Sequence, residues 1–311
     1  MTISRRTFFS AAAMAGAGAL AGRNLFAAST APLIGLQLYS VRTPLAKDFA
    51  GTLKQVGAIG YRQVEAAGFF GHSASDVKQM MADTGLDCIS AHYALADLLK
   101  STDDIIGYAK ALGLEYVVCS SPWAKDAARL ENYPGGSWQG IQHAMTLDDW
   151  KWSGEQLNKI GQKMRAAGLK LGYHNHTMGF REQNGSTGYA VLLAETDPGL
   201  VTMELDCGWA FAAGHDPAEM LRRHRGRISM LHIKDLKPAP VGTEPGARIS
   251  TEIGAGVIDY GPIFKTAEAT GIKHYFVEQE EFDGPVFEGI KVDYRNSNIL
   301  ARGGRLHRRA G

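Results

Sequence analysis

Eight short runs, rich in apolar and β-branched residues, punctuate the chain. They are LIGLQLYS (33–40), YRQVEAAG (61–68), LDCISAHY (86–93), LEYVVCSSP (114–122), LKLGYHNH (169–176), LVTMELDCG (200–208), ISMLHIKD (228–235) and KHYFVEQE (273–280). Between them lie longer stretches with helical spacing of apolar residues, such as FAGTLKQVGAIG, ASDVKQMMADTG and SGEQLNKIGQKMRAAG. Gly60, Gly85, Gly113, Gly168 and Gly271 stand where such helices would end. Strand, helix and glycine stop, repeated, predict right-handed βαβ units and a parallel sheet. Eight strands fit a closed (β/α)8 TIM barrel. The spacing agrees: Tyr39, Glu65, His92 and Cys119 recur every 26–27 residues, one unit each. Between Cys119 and His174 the interval roughly doubles. The excess, SPWAKDAARLENYPGGSWQGIQHAMTLDDW, is predicted as an insertion after strand four, on the end of a barrel where catalysis occurs. It carries Trp123, Trp138 and Trp150, whose faces suit the C–H face of a sugar ring. A doubly wound sheet would call for G-x-G-x-x-G after the first strand, and none stands there.

Composition changes this picture mainly at the ends. The 311 residues are 45% hydrophobic and 21% charged, which suits one large barrel. Residues 1–31 lack the strand–helix rhythm. Ser4-Arg5-Arg6-Thr7-Phe8-Phe9, followed by a small apolar Ala/Gly run, predicts a twin-arginine signal peptide and a soluble periplasmic product. The barrel is then expected over 32–300, with a disordered basic tail over 301–311. The formal net charge is +1, and the leader holds three arginines and no acid, so the remainder is formally −2. Such a chain has no basic face for nucleic acid and no anchor in a membrane once the leader is removed. Cys88, Cys119 and Cys207 lie in or beside apolar runs without metal-motif spacing and read as buried thiols.

The chemistry sits at the strand ends. Their last polar residues are Glu65, His92, His174 with His176, Asp206, His232 and Glu278, so six of eight strands end in a residue that binds metals or moves protons. The last four strands offer His174, Asp206, His232 and Glu278 as ligands of one divalent ion. Two imidazoles and two carboxylates suit Mn, Co, Fe or Zn better than Mg. Taken singly, His232 could be a core histidine, Asp206 a helix cap, and Lys234 the partner of Asp235 or another acid.

IGLQLYSVR, GYRQVEAAG, LGYHNH, MELDCGW, LHIKDL and VEQE resemble the xylose isomerase-like barrels: sugar (phosphate) isomerases and epimerases, inosose dehydratases and AP endonucleases. The resemblance covers most of the chain after Pro32. It implies a metal on Glu, Asp, His and Glu from strands five to eight, with Asp206, His232 and Glu278 in three of these places. His174 stands where such relatives carry Glu, and that removes one of the two bases expected of an epimerase. The resemblance implies proton abstraction beside a metal-polarised carbonyl. Glu278, His176 and Lys234 are the expected catalytic groups, and Gln37, Glu65, His92 and Trp123 the expected substrate contacts. An isomerase or epimerase of a non-phosphorylated sugar or keto-sugar is the leading expectation. The alternatives are a 3-keto-glycoside lyase or hydratase on the same site and a non-catalytic periplasmic sugar binder. Homo-oligomerisation is compatible with each.

Overall fold

The computed structural model describes residues 32–306; the predicted signal peptide and the last residues of the basic tail lie outside the described residues. Eight parallel strands form a closed barrel: β1 (Ile34–Gln37), β2 (Gln63–Ala66), β3 (Asp87–Ala94), β4 (Tyr116–Ser121), β5 (Lys170–His174), β6 (Val201–Asp206), β7 (Ile228–Ile233) and β8 (His274–Val277). They follow chain order around the wall, and β1 pairs with β8 to close it. The (β/α)8 barrel expected from the strand–helix rhythm is the observed fold.

The helices begin and end where local chemistry dictates. Asp48, Ser73 and Thr146 accept backbone N–H groups at the starts of Phe49–Ile59, Ala74–Thr84 and Leu147–Ala166. Gly60, Gly85, Gly113 and Gly271 are the residues that end helices, and Gly168 follows the cap at Ala167. All five have positive φ, which explains glycine there. Short helices Ala127–Glu131 and Ser137–Ala144 form the insertion after β4, and Arg129 ties it to Asp149 at the start of the next barrel helix. Two-residue hairpin strands follow β5 and β7 at the same end of the barrel. Among the described residues no helix is long and apolar enough to cross a membrane.

Strand side chains alternate, so each strand feeds two cores. Met203, Leu205, Leu231, Ile233, Tyr275 and Val277 face the helices in the large apolar shell. Tyr116, Val118, Met230 and Phe276 form a separate apolar cluster, the plug inside the barrel. Gly35 makes room for it: a Cβ there would lie 2.6 Å from the Phe276 ring. Cys119 and Cys207 are buried free thiols as expected, whereas Cys88 is only half-buried.

Candidate metal centre

Above the apolar plug, the inward positions turn ionisable. One step of two residues along β6 leads from Glu204 to Asp206. Along β7 it leads from Met230 to His232 and then Lys234, and along β8 from Phe276 to Glu278 and then Glu280. The strand register sets Asp206 beside His232 and His174 beside Glu204.

The lower ionisable layer is a knot of carboxylates and imidazoles. Glu204 Oε2 lies 2.8 Å from His92 Nε2, 3.0 Å from His174 Nδ1 and 3.2 Å from His232 Nε2. Glu65 Oε2 lies 2.6 Å from His232 Nε2 and 2.9 Å from His92 Nε2. Gln37 and Ser90 donate to the two oxygens of Glu65. Burial alone would raise the Glu204 carboxyl, as would the charge of Glu65, but the imidazoles outweigh both and hold it at about 2. Burial opposes charge on His92, yet Glu65 and Glu204 raise it to about 10.

In the upper layer His174, Asp206, His232 and Glu278 offer ligand atoms within 4.8 Å of one another, all from buried residues. Asp206 divides its work. Oδ1 accepts from Trp209 N at 2.8 Å and caps the helix Cys207–Ala212, while buried Oδ2 has no hydrogen-bond partner. A buried carboxylate oxygen with no hydrogen bond, set between two imidazoles and a second carboxylate, fits a divalent cation. Asn175 clamps Asp206 from the side, accepting from its N–H and donating to its carbonyl. Lys234 lies beside this set, one inward step beyond His232. Its Nζ lies 3.1 Å from Asp206 Oδ2, 2.9 Å from Glu278 Oε2 and 2.5 Å from Glu280 Oε1, over the Trp209 ring. Gly208 makes this path available, since a Cβ there would press on the Lys234 carbonyl and side chain. Asp235, the other partner considered for Lys234, instead accepts the backbone N–H groups of Leu236, Gly254, Gly256 and Ile258. Burial pushes Glu278 up, but Lys234 and His232 hold it well below the usual carboxylate range. Glu280 moves the other way, raised by burial and by Glu278 and Glu281 against the pull of Lys234.

A cavity of about 560 Å³ opens above this layer. Of the residues expected at the site, His92, His174, His176 and Glu278 line it. Asp206, His232 and Lys234 sit behind that wall. Three expected substrate contacts are not brought to it. Gln37 and Glu65 are fully buried beneath, where they hold His92 and His232 in place. Trp123 packs against the apolar shell, its backbone tied to Ser153. Trp150 is also core, and Trp138 is the insertion tryptophan that reaches the cavity, 5.2 Å from the His176 ring. Trp209 completes this aromatic wall, and both its Nε1 and His176 Nδ1 are buried without partners. Burial and the nearby Lys234 push His176 down to about 3, so it is neutral. Glu204 and Glu280 were not among the expected residues. Period-two alternation carries the signal for both, since Glu204 lies two before Asp206 and Glu280 two after Glu278.

Residues 53–295 match the xylose isomerase-like TIM barrel family. The chain belongs to this family. Similar family members include the inosose dehydratase of Clostridium perfringens, 30% identical over 188 residues, 57% of this chain. That match spans 61% of the relative's own length. The structure of a sugar phosphate isomerase/epimerase from Parabacteroides distasonis superposes with a TM-score of 0.67 and 28% identity, over 84% of this chain and 96% of that one. The IolI protein with a bound zinc atom shares the fold at a TM-score of 0.64 and 13% identity, over 88% of this chain and 99% of that one.

Proposed function

We propose that this family member removes a proton beside the carbonyl of a non-phosphorylated keto-sugar or keto-cyclitol and then expels a β-oxygen, as a dehydratase or lyase does. The observation that carries this reading is the line Glu278–Lys234–Glu280. Two carboxylates line one cavity, and both bear on a single buried ammonium at 2.9 and 2.5 Å. Their ionisation is pushed apart, the arrangement expected of a base and an acid rather than of two equivalent bases. His174, in the place of a second carboxylate, supports the same asymmetry, as does the relation to inosose dehydratases. Glu278, Glu280 and Glu281 line the cavity with Arg248 as the single lysine or arginine among the described lining residues, which disfavours a phosphate. The twin-arginine pattern at residues 4–9 belongs to this reading, since sugar phosphates are intracellular metabolites.

A divalent ion on His174, Asp206, His232 and Glu278, of the Mn, Co, Fe or Zn type, would polarise the carbonyl and acidify the neighbouring C–H. Glu278 takes that proton. The C–H electrons form a C=C bond as the β C–O bond breaks, and the acid proton of Glu280 goes to the departing oxygen, releasing water or an alcohol. Lys234 Nζ touches both carboxylates and returns the proton from Glu278 to Glu280. His176 and Trp209 offer unpartnered ring nitrogens to substrate hydroxyls.

The test is incubation of metal-loaded protein with inososes, ketohexoses and 3-keto-glycosides in D2O. Loss of water or aglycone is expected. Glu278→Gln should lower deuterium entry about 10²–10⁴-fold. Glu280→Gln should retain deuterium entry and lose elimination. Isomerised or epimerised sugar as the sole product, with Glu280→Gln fully active, would replace elimination by the isomerase reading, which shares the first step.

A further inference from the structure

We propose that Glu204 is the positioning residue of the metal centre: it orients two histidine rings so that His174 presents Nε2 and His232 presents Nδ1 to the ion. The inference rests on the metal reading above and adds which ring atoms serve. Glu204 is fully buried in the barrel, one inward step below Asp206. Its Oε2 lies 3.0 Å from His174 Nδ1 and 3.2 Å from His232 Nε2. An ionised carboxylate only accepts hydrogen bonds, so the ring nitrogen facing Glu204 keeps its proton, and the opposite nitrogen is the one that would give its lone pair to an ion set between it and the upper carboxylates. Those opposite nitrogens face the upper carboxylates. His174 Nε2 lies 4.0 Å and His232 Nδ1 3.9 Å from Asp206 Oδ2, and His232 Nδ1 lies 3.1 Å from Glu278 Oε2. Glu204 Oε2 thus faces opposite ring nitrogens of two histidines on two strands, hydrogen-bonded to His174 and in ionic contact with His232. Glu65 takes the hydrogen bond of the same His232 Nε2, at 2.6 Å, so Glu204 shares that ring with Glu65, whereas the Nδ1 of His174 is hydrogen-bonded to Glu204.

His92, His174, Glu204 and His232 also offer ligand atoms within 4.8 Å of one another, so a second cation there is the competing arrangement. Glu65 Oε2 argues against it, because it already contacts His92 Nε2 and His232 Nε2 at 2.9 and 2.6 Å. In that arrangement Glu204 would be a ligand rather than a positioning group.

The experiment uses metal-stripped full chain reloaded with Zn²⁺ or Co²⁺. Long-range ¹H–¹⁵N spectra of the Zn²⁺ form should show His174 bound through Nε2 with Nδ1 protonated, and His232 bound through Nδ1 with Nε2 protonated. One ion per chain is expected. Glu204→Gln, of the same shape, should weaken Co²⁺ binding by about 10- to 100-fold and mix the His174 tautomers. Glu204→Asp, which keeps the charge, should bind Co²⁺ more tightly than Glu204→Gln does. Reversed ring nitrogens, two ions per chain, or wild-type Co²⁺ affinity and spectrum in a folded Glu204→Gln each overturn the proposal. The ring-nitrogen assignment is read on the wild type and stands even if a variant fails to fold. Wild-type protein that binds neither ion overturns the metal reading itself, and this inference with it.

Discussion

Asp206 shows how one side chain can be both structural and chemical. Oδ1 caps the helix Cys207–Ala212, while Oδ2 faces two imidazoles and the Lys234 ammonium. The two oxygens can be separated by substitution. Asn keeps an oxygen for the Trp209 N–H and loses the charge, whereas Ala loses both. Asp206→Asn is expected to melt close to the wild-type temperature in chelator yet bind Co²⁺ at least tenfold more weakly. Asp206→Ala should bind as weakly and lose a further ~1 kcal/mol of stability, the usual worth of such a cap. Calorimetry in chelator and a Co²⁺ titration separate these effects; equal stability of the two variants would show that the cap contributes nothing. Asp206 and His232 could be found in the sequence because each is the last polar residue of a strand, and Glu278 because it directly follows one. Glu204 could not be found that way, because Asp206 follows it on the same face and masks it. The relevant signal is Thr202, Glu204 and Asp206 at alternate positions in VTMELD, a polar face on a strand whose other face, Met203 and Leu205, is apolar.

Among the elements, strands were more legible than the insertion. A strand has period two and a helix period 3.6, so the pattern of apolar residues carries their direction and the glycines carry their ends. The insertion has neither period. Its tryptophans therefore gave equal sequence signals, although only Trp138, 43% exposed, reaches the cavity, from the helix Ser137–Ala144. Trp123 precedes the insertion helices and hangs on Ser153 of the barrel helix, so it supports the wall. The two residues should then fail differently. Trp138→Ala removes an aromatic face from the mouth and is expected to raise KM about fivefold, with kcat and the melting temperature little changed, since stacking of this kind contributes about 1 kcal/mol. Trp123→Ala should lower the melting temperature and leave KM nearly constant. Steady-state kinetics beside thermal melts decide between them. A KM effect confined to Trp123→Ala would return that residue to the substrate.

The whole molecule reconciles a stable barrel with an interior full of charge by stacking unlike layers. The shell between sheet and helices and the Tyr116–Val118–Met230–Phe276 plug are apolar, and they supply the hydrophobic stabilisation. The ionisable layers lie above the plug, where buried charges are paired with opposite ones. Such pairing offsets desolvation without adding much net stability, so the knot is better explained by the site than by the fold. Two expectations follow for the intact protein. Lys234 already pairs with Asp206 and Glu278 without an ion, so chelated protein should stay folded and unfold in one transition. An ion held by these four residues would bind only the folded state, and at a free concentration of 100 times its Kd would add about 2.7 kcal/mol. For a domain of this size, about 2–4 °C accompanies each kcal/mol. Saturating Mn²⁺, Co²⁺ or Zn²⁺ should therefore raise the melting temperature by roughly 5–10 °C over chelated protein. His174→Ala should abolish most of that rise while its melt in chelator remains cooperative. A barrel that melts at one temperature with and without ion, or that unfolds outright in chelator, would contradict this division of labour between the apolar layers and the charged one.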